Sequence, residues 1–347
     1  MPLRISFSLF ALFALTSAAL SQQTNSNALH PRQGPPSRTI SINVVVTPKS
    51  GVPVGGLQQQ DFTVLDNKEQ RAITAFHAYD GTKVPVMLLI DSVNTDFNIV
   101  AQERIEIDRF LHSNGGHLSH PTIIAILTDS GVQLQGGYTQ DGNALATAMD
   151  KFTIGLRYIT RAAGDEGEAE RLDDSMKALR TITGYEAARP DRKIILWVSP
   201  GWPLLSGPEI NLSPGQEKGI FDEITWLSTQ LREAQTAIYA INPLGVDENL
   251  SRVFMYQDYL KGVTKPGDSN FANISLQVLA TQTGGLVLSS SDISGILKQS
   301  MDDAGPYYRL SFEPPPTEHR DVYHRLDVKV ARSGLTAYTT TGYYDQP

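Results

Sequence analysis

The sequence predicts an α/β fold: a mostly parallel sheet with helices on both faces, plus a small β annex formed by strands near the two ends of the chain. Short apolar runs such as residues 86–90 and 194–198 are typical of strands buried on both sides of a parallel sheet. Segments with helical periodicity alternate with these runs. Strand-like patterns precede and follow this block, so both chain ends are predicted to contribute to the annex.

The first 21 of the 347 residues have the pattern of a secretory signal peptide. Arg4 precedes an apolar core at residues 5–15, and small residues follow it, with cleavage expected after Ala19 or Ser21. No later segment has the apolar length of a transmembrane helix. We therefore expect an exported chain that stays in the periplasm or leaves the cell.

The cysteine count and the net charge of the chain limit the kinds of cross-link and ligand that it can have. The chain has no cysteine, which excludes disulfides and a lipid-modified N-terminal cysteine. Removing residues 1–21 takes away only Arg4, which leaves 29 − 1 = 28 cations against 37 anions and a formal charge of −9. A nucleic-acid ligand is not expected for a chain of this charge.

The predicted annex begins after a polar lead-in at residues 22–37, whose composition indicates disorder. Apolar residues then alternate from Ile40 to Val46, and extended patterns recur at residues 61–67 and 72–76. Residues 38–80 are therefore predicted to form an N-terminal β module. Extended patterns return at Tyr307–Phe312, Tyr323–Val330 and residues 335–343, so residues 306–347 are predicted to pack with that module.

The α/β block is predicted to span residues 83–305. Besides the strand that ends at Asp91, strands are predicted at residues 122–127, 132–134, 193–198, 237–241 and 286–288. Helices are predicted at residues 97–111, 141–151, 168–182, 220–234, 274–283 and 293–301. Residues 245–270 lack a clear period and are predicted to be an excursion over the sheet edge.

The peptide at residues 83–95 contains the first candidate site. Its buried strand ends in Asp91, at the carboxyl edge where parallel sheets of this kind bind ligands. The strand at residues 193–198 ends in Ser199 at the same edge, followed closely by Trp202. Trp202 is predicted either to pack against a neighbouring loop or to contact a partner.

The chain resembles the von Willebrand factor A-type family, specifically the related domain of secreted bacterial proteins of the acidobacterial type. The resemblance covers about residues 40–345 and rests on the order of six strings: VPVGGL at 52–57, DF at 61–62, LLID at 88–91, ATQTGG at 280–285, YYRLSF at 307–312 and GYY at 342–344. It implies a Rossmann-like domain that binds other proteins. It also implies a metal-ion-dependent adhesion site, made by an Asp-x-Ser-x-Ser loop, a threonine and a second aspartate.

The resemblance implies a degenerate metal site in this chain. Asp91, Thr95 and Thr139 match the first acid, the second hydroxyl and the loop threonine, but Val93 replaces a serine and Ser199 replaces the second acid. Losing two oxygen ligands is expected to weaken Mg²⁺, Mn²⁺ or Ca²⁺ binding substantially. Asp96 and Asp141 are candidates for compensation. The residues predicted at the partner-binding edge are Asn94, Asp96, Asp141, Ser199 and Trp202.

Three functions follow as hypotheses. The preferred one is a secreted or periplasmic, non-enzymatic protein-interaction module of the adhesion type. A structural scaffold of the cell envelope, with the site edge buried by the annex, is the first alternative. An exported hydrolase built from Ser199 and a distant histidine is the second, although no Gly-x-Ser-x-Gly motif is present. The pairs His117 and His120, and His319 and His324, are predicted to lie in exposed loops and turns, not in zinc sites.

Overall fold

The computed structural model of the protein describes residues 39–49, 51–152, 164–205, 211–245, 255–317 and 319–345. The predicted signal peptide and the lead-in at residues 22–37 lie outside these residues, as does the part of the predicted excursion at residues 246–254. A single compact unit contains all of the described residues.

A six-stranded sheet forms the centre of this unit. Its strands are β5 (Val86–Asp91), β6 (His117–Thr128), β7 (Gly131–Asp141), β8 (Lys193–Val198), β9 (Thr236–Asn242) and β10 (Val287–Ser289). Their spatial order is β10-β9-β8-β5-β6-β7, and every neighbouring pair is parallel except β6 and β7. Every residue of β5, β8 and β9 is buried, which explains their continuous apolar sequence.

Helices cover both faces of the sheet. They are α1 (Phe97–Leu111), α2 (Gly142–Phe152), α3 (Gly164–Ala187), α4 (Pro214–Glu233), α5 (Leu276–Gln282) and α6 (Ile293–Asp302). The core beneath α1, α2 and α6 lies on one face, and the core beneath α3, α4 and α5 lies on the other. This architecture confirms the predicted fold class, and α1 and β8 have the predicted bounds.

Helix α4 begins six residues earlier than its apolar stripe predicts. Ser213 and Gln216 form a reciprocal capping box, and Pro214 occupies the first helical turn. Both features stabilise a helix start by satisfying or removing unpaired backbone N–H groups. The local cap, and not the buried stripe, therefore sets where this helix begins.

The annex consists of two four-stranded sheets around a separate apolar core. The remaining strands are β1 (Ile40–Pro48), β2 (Phe62–Asp66), β3 (Glu69–Arg71), β4 (Ile73–Tyr79), β11 (Tyr307–Phe312), β12 (Tyr323–Val330), β13 (Leu335–Tyr338) and β14 (Gly342–Tyr344). The sheets have the orders β13-β1-β11-β4 and β14-β12-β2-β3, so each contains strands from both ends of the chain.

The predicted final strand at residues 335–343 is wrong as a single strand. It is divided into β13 and β14, which belong to different sheets. The residues between them bond to other elements: the Thr339 hydroxyl donates to the Asn43 carbonyl, and Thr341 N–H donates to the Gln282 carbonyl. Side-chain and backbone bonds to α5 and β1 thus replace strand pairing at this point.

The annex joins the α/β unit at the amino edge of the central sheet. The two covalent connections, from β4 into β5 and from α6 into β11, pass side by side at Gly81 and Gly305. Gly81 has a φ of +76°, and a Cβ atom there would lie 2.0 Å from the Gly305 carbonyl oxygen. We call this contact the seam. The seam therefore places both covalent connections at the amino edge of the central sheet.

Two histidine predictions are wrong. His117 and His120 belong to β6, where side chains alternate between the two faces of the strand, and this alternation places His120 in the interior.

His324 is also buried, on β12, and its Nδ1 lies 2.8 Å from Asp66 Oδ1. The tyrosine hydroxyl of Tyr343 donates to the other oxygen of Asp66, and Arg71 Nε lies 3.3 Å from it. Although burial alone would raise the pKa of Asp66, the hydrogen bond and charge of His324 and the Tyr343 hydrogen bond lower it.

Candidate functional site

Asp91 is the last residue of β5, at the carboxyl edge of the central sheet, and it is fully buried. The chain leaves the strand in a tight turn that is fixed to β6. The backbone N–H and the hydroxyl of Ser92 both donate to the Leu127 carbonyl, at 3.0 and 2.6 Å. This double contact holds the loop between β5 and α1 against the neighbouring strand.

Five hydrogen-bond donors of the protein surround the Asp91 carboxylate. The backbone N–H groups of Val93 and Asn94 donate to Oδ1, at 3.0 and 2.9 Å. Oδ2 accepts from the Asn94 amide at 2.9 Å, the Trp197 indole at 3.2 Å and the Ser199 hydroxyl at 2.9 Å. A buried carboxylate is stable only when donors of this kind compensate for lost hydration. We call this arrangement the Asp91 network.

The network joins three elements. Trp197 and Ser199 lie at the end of β8, next to β5, and the Ser199 oxygen also accepts from the Gly201 N–H at 3.0 Å. The Asn94 amide donates a further bond to the Ser175 hydroxyl on α3 at 2.9 Å. Ser199, predicted as the neutral replacement of a metal ligand, is thus a donor to the first acid. Its hydroxyl contacts Asp91 and Gly201, and the described residues place no histidine in hydrogen-bond contact with it.

Two of the predicted site residues do not reach this edge. Thr139 and Asp141 belong to β7, which runs antiparallel to β6. Thr139 pairs with Thr122, whereas Asp91 lies beside Leu127, five residues further along β6. At a rise of about 3.3 Å per residue, Thr139 is about 17 Å along the sheet from Asp91. The prediction that Thr139 and Asp141 join Asp91 is wrong because the threonine lies within an edge strand and not in a loop at the carboxyl edge.

The residues brought together here do not fit a divalent cation in this arrangement. An ionised carboxylate has about four lone-pair positions, and five protein donors already point at Asp91. Val93 offers no oxygen from its side chain, which is buried in the core. Within the described ranges, no cluster of three or more histidine, aspartate or glutamate side chains is arranged to hold a metal ion. Donors from the protein occupy the place that a cation would need.

We therefore expect no effect of divalent metal on stability. Titration with Mg²⁺, Mn²⁺ or Ca²⁺ to millimolar concentration should leave the melting temperature unchanged, because a ligand raises it only by binding the folded state. Differential scanning fluorimetry at constant ionic strength measures this. A saturable rise that disappears in the Asp91→Asn variant would show that a metal displaces the donors and that this interpretation is wrong.

A second buried acid, Glu103, was not identified as a site residue from the sequence. It lies on the inner face of α1, is 1 % exposed, and neither carboxylate oxygen has a hydrogen-bond partner among the described residues. Burial, reinforced by the negative charge of Asp91, raises the pKa of Glu103 to about 9. Glu103 is therefore neutral at pH 7. One feature of the sequence could have identified Glu103. It is an acid between Val100 and Ile107, on the side of the helix where the apolar periodicity predicts an apolar residue.

The predicted partner-binding residues differ in accessibility. Trp202 is 1 % exposed; its indole N–H donates to the Ile274 carbonyl, and its ring packs edge-on to Trp197 with centroids 5.2 Å apart. Of the two predictions for Trp202, packing is therefore the one observed. Asn94 is half-buried, and Asp96 is exposed at the start of α1. Phe97, which the sequence did not single out, is 64 % exposed beside it.

The strand order, the single antiparallel edge strand and the helices on both faces form a Rossmann-like α/β fold. Solved structures similar to this chain include the SpRpn10 VWA domain (12 % identity, 64 % of this chain and 97 % of that one, TM-score 0.29). Manganese-loaded Plasmodium vivax TRAP protein matches with 8 % identity over 76 % of this chain and 96 % of that one, at a TM-score of 0.34. Human COPII-coat protein Sec24c matches with 8 % identity over 81 % of this chain, at a TM-score of 0.35.

At these identities and TM-scores the matches carry no argument about this chain's fold or activity. The chain spans about half of the Sec24c chain, 48 % of its length. No protein-family model matches the sequence, and no curated protein is similar to it. Among the described residues, no helix has both the length and the apolar character needed to cross a membrane.

Proposed function

We propose that this chain is an exported, non-enzymatic protein-interaction module of the adhesion type, which binds a protein partner at the carboxyl edge of its central sheet without a bound metal. The proposal includes the finer resemblance to secreted proteins of the acidobacterial type and the export predicted from residues 1–21. It rests on the chemistry of the edge, since a shared fold does not determine a function.

The observation that carries the proposal is the exposure of Phe97, the first residue of α1, directly after a loop that hydrogen bonds hold in place. The residues just before it are held by the Asp91 network, by the Ser92 contacts to Leu127, and by the bond from Asn94 to Ser175 on α3. Phe97 nevertheless has 64 % of its surface in solvent. Large aromatic side chains are frequent anchors of protein interfaces, and a rigid mount lowers the entropy cost of binding.

The hydrogen bonds of Ser199 and Asp91 at this edge favour binding over catalysis. The Ser199 hydroxyl donates to a buried carboxylate, and among the described residues no histidine is in contact with it to accept its proton. The Asp91 oxygens are filled by donors that fix the loop. The Asp91 carboxylate and the Ser199 hydroxyl therefore have structural roles, which leaves the exposed surface around Phe97 and Asp96 for recognition.

Site-specific photo-crosslinking tests the proposal. A photoreactive phenylalanine analogue at position 97, in the full exported chain, should crosslink a defined protein of the envelope or the surrounding medium. Phe97→Ser should weaken capture of that protein by tenfold or more, because it removes the aromatic anchor. Chelation with EDTA should leave the yield unchanged.

Ile105 provides the matched control. It is also an exposed apolar residue of α1, with 57 % of its surface in solvent, but it lies two helical turns away from the edge. The analogue at position 105 should give no such product, and Ile105→Ser should bind as the unmodified protein does. Equal products at both positions, or none at position 97, would contradict the proposed edge.

A further inference from the structure

A second candidate site lies at the amino edge of the central sheet, where the annex meets the α/β unit. A cavity of about 40 Å³ opens there between strands β1 and β13 on one side and the ends of α4 and α5 and the start of β9 on the other. Its lining includes side chains with neutral amide or hydroxyl groups, among them Ser41, Asn43, Ser228, Gln235, Gln282 and Thr340. None of the described lining residues is an aspartate or a glutamate. The lining is therefore polar without being acidic.

Gln235 presents an unsatisfied acceptor at this cavity. It follows α4 in the left-handed region, with a φ of +53°, and its side-chain amide donates to the Arg232 carbonyl at 2.8 Å. This bond fixes the amide group at the end of the helix. The other atom of the amide, Oε1, is buried and has no hydrogen-bond partner among the described residues. A buried acceptor without a donor is costly, so a donor is expected in the cavity.

Arg232, in the last turn of α4, adds an unsatisfied donor. Its Nε is buried and has no hydrogen-bond partner within the described part of the chain, whereas its Nη2 lies 3.5 Å from the Glu233 carboxylate. Burial lowers the pKa of Arg232, and the charges of Glu233 and Asp345 act in the opposite direction. The positive charge thus already has anionic partners. What the cavity has to satisfy here is one N–H group and not a charge.

These two unpaired groups favour a neutral ligand with hydroxyl groups. A hydroxyl both donates and accepts, so it suits Gln235 Oε1 and Arg232 Nε, which belong to residues that a hydrogen bond already joins. A water molecule needs roughly 10–15 Å³ of such a volume, so the cavity has room for about three or four groups of that size. Neighbouring hydroxyls of one ligand can therefore take the places that water molecules would otherwise fill.

Tyr338 distinguishes this cavity from a site for water alone. It belongs to β13, lines the cavity and has 43 % of its surface in solvent, so it lies where the cavity meets the exterior. Binding sites for small molecules combine aromatic surface with a few polar groups that fix the orientation of the ligand. A sugar ring has both kinds of surface, since its C–H groups pack on an aromatic face while its hydroxyls reach polar side chains.

We propose that this cavity binds a neutral sugar residue, whose hydroxyl groups bond to Gln235 and Arg232 while its ring packs on Tyr338. The ligand would contact both the annex and the α/β unit, because both line the cavity. The site is separate from the proposed partner-binding edge, which lies at the other end of the strands. It does not depend on the function proposed for that edge.

Saturation-transfer NMR and isothermal titration of the full mature chain test this proposal. The probes are glucose, galactose, mannose and N-acetylglucosamine, each as the free sugar and as a linear oligosaccharide. At least one of them should bind saturably at one site per chain, with the millimolar affinity expected of so small a contact. Tighter binding of the oligosaccharide would identify a polysaccharide as the source of the ligand, and equal binding would identify the free sugar. If no probe binds saturably, the cavity holds only water and the proposal is wrong.

Two variants locate the binding. Gln235→Asn keeps an amide and a residue that tolerates the left-handed region, but it withdraws the acceptor and should weaken binding fivefold or more. Tyr338→Ala removes the ring from an exposed position and should weaken binding tenfold or more. The matched controls are Gln230→Asn on α4 and Thr336→Ala on β13, which lie outside the lining and should bind within twofold of the unmodified protein.

The variants also separate this site from the partner-binding edge. Phe97→Ser should leave sugar binding unchanged, because Phe97 lies at the start of α1 and not in the lining. Equal losses in the control variants, or full affinity in both Gln235→Asn and Tyr338→Ala, would contradict the proposed site. Should Gln235→Asn fail to fold, the comparison of Tyr338→Ala with Thr336→Ala decides the question, since both positions are exposed on the same strand.

Discussion

Replacing Asp91 with alanine is expected to lower the free energy of unfolding by about 4 kcal/mol, since buried donors that lose their acceptor cost roughly 1–3 kcal/mol each. The change removes the acceptor of five donors from the loop that precedes α1 and from the end of β8. The Ser199 hydroxyl can turn to another acceptor, but the Trp197 indole and the Val93 N–H are fixed. Urea denaturation monitored by tryptophan fluorescence measures the loss.

Two control variants show whether the loss comes from the network. Asp91→Asn keeps one acceptor oxygen and should lose about half as much stability, because one oxygen can still serve part of the donors. Asp129→Ala removes an exposed acid at the same edge and should change stability by less than about 0.5 kcal/mol. An Asp91→Ala protein as stable as the Asp129→Ala protein would mean that the donors find solvent or other acceptors, and the network would have no structural importance.

Replacing Glu103 with methionine is expected to stabilise the protein at neutral pH and to remove part of its pH dependence. Glu103 has a pKa of about 9 in the folded protein, against 4.5 for the ordinary side chain. Between these values the folded state holds a proton that the unfolded state has released. Stability therefore falls as pH rises through this window, by about 1.4 kcal/mol per pH unit.

At pH 7 the cost of keeping Glu103 neutral in the interior amounts to about 3 kcal/mol, from the distance between pH 7 and the ordinary pKa. Methionine is unbranched like glutamate and suits a helix and an apolar core. The advantage of Glu103→Met should therefore be small near pH 4.5 and grow up to about pH 9. Denaturation curves at three pH values, one near each end of this window and one at neutrality, measure it.

Glu170 provides the comparison for this experiment. It is an exposed glutamate in α3, so Glu170→Met makes the same substitution without altering the interior. Its effect on stability should be small and the same at all three pH values. A constant difference between the Glu103→Met protein and the unmodified one would show that Glu103 is ionised or solvated in the fold, contrary to its burial.

The fold could be predicted from the sequence because many residues encode it. The buried run at β8 and the periodic helix at α1 were found with their bounds, since burial on both sides or on one stripe leaves a clear pattern. The division of residues 335–343 into two strands was not visible, because it depends on Asn43 and Gln282, which are distant in the chain. Local patterns do not report such long-range bonds.

The site was harder to predict because it depends on register. Asp91 and Ser199 are at the same edge as expected, since both follow buried parallel strands. Thr139 is at the other edge because β7 reverses direction after a tight turn, and only the pairing with Thr122 reveals this. Phe97 was overlooked because the exposure of an aromatic residue at a helix start cannot be read from its neighbours in sequence.

The seam at Gly81 and Gly305 has a mechanical consequence. The covalent path between either end of the described chain and the proposed partner-binding edge runs through one of these two adjacent connections. They continue into β4 and β11, which are bonded in one antiparallel ladder that begins with the stacked rings of Tyr79 and Tyr307, 4.6 Å apart. We therefore expect these two hydrogen-bonded strands to share a pull on either end of the described chain.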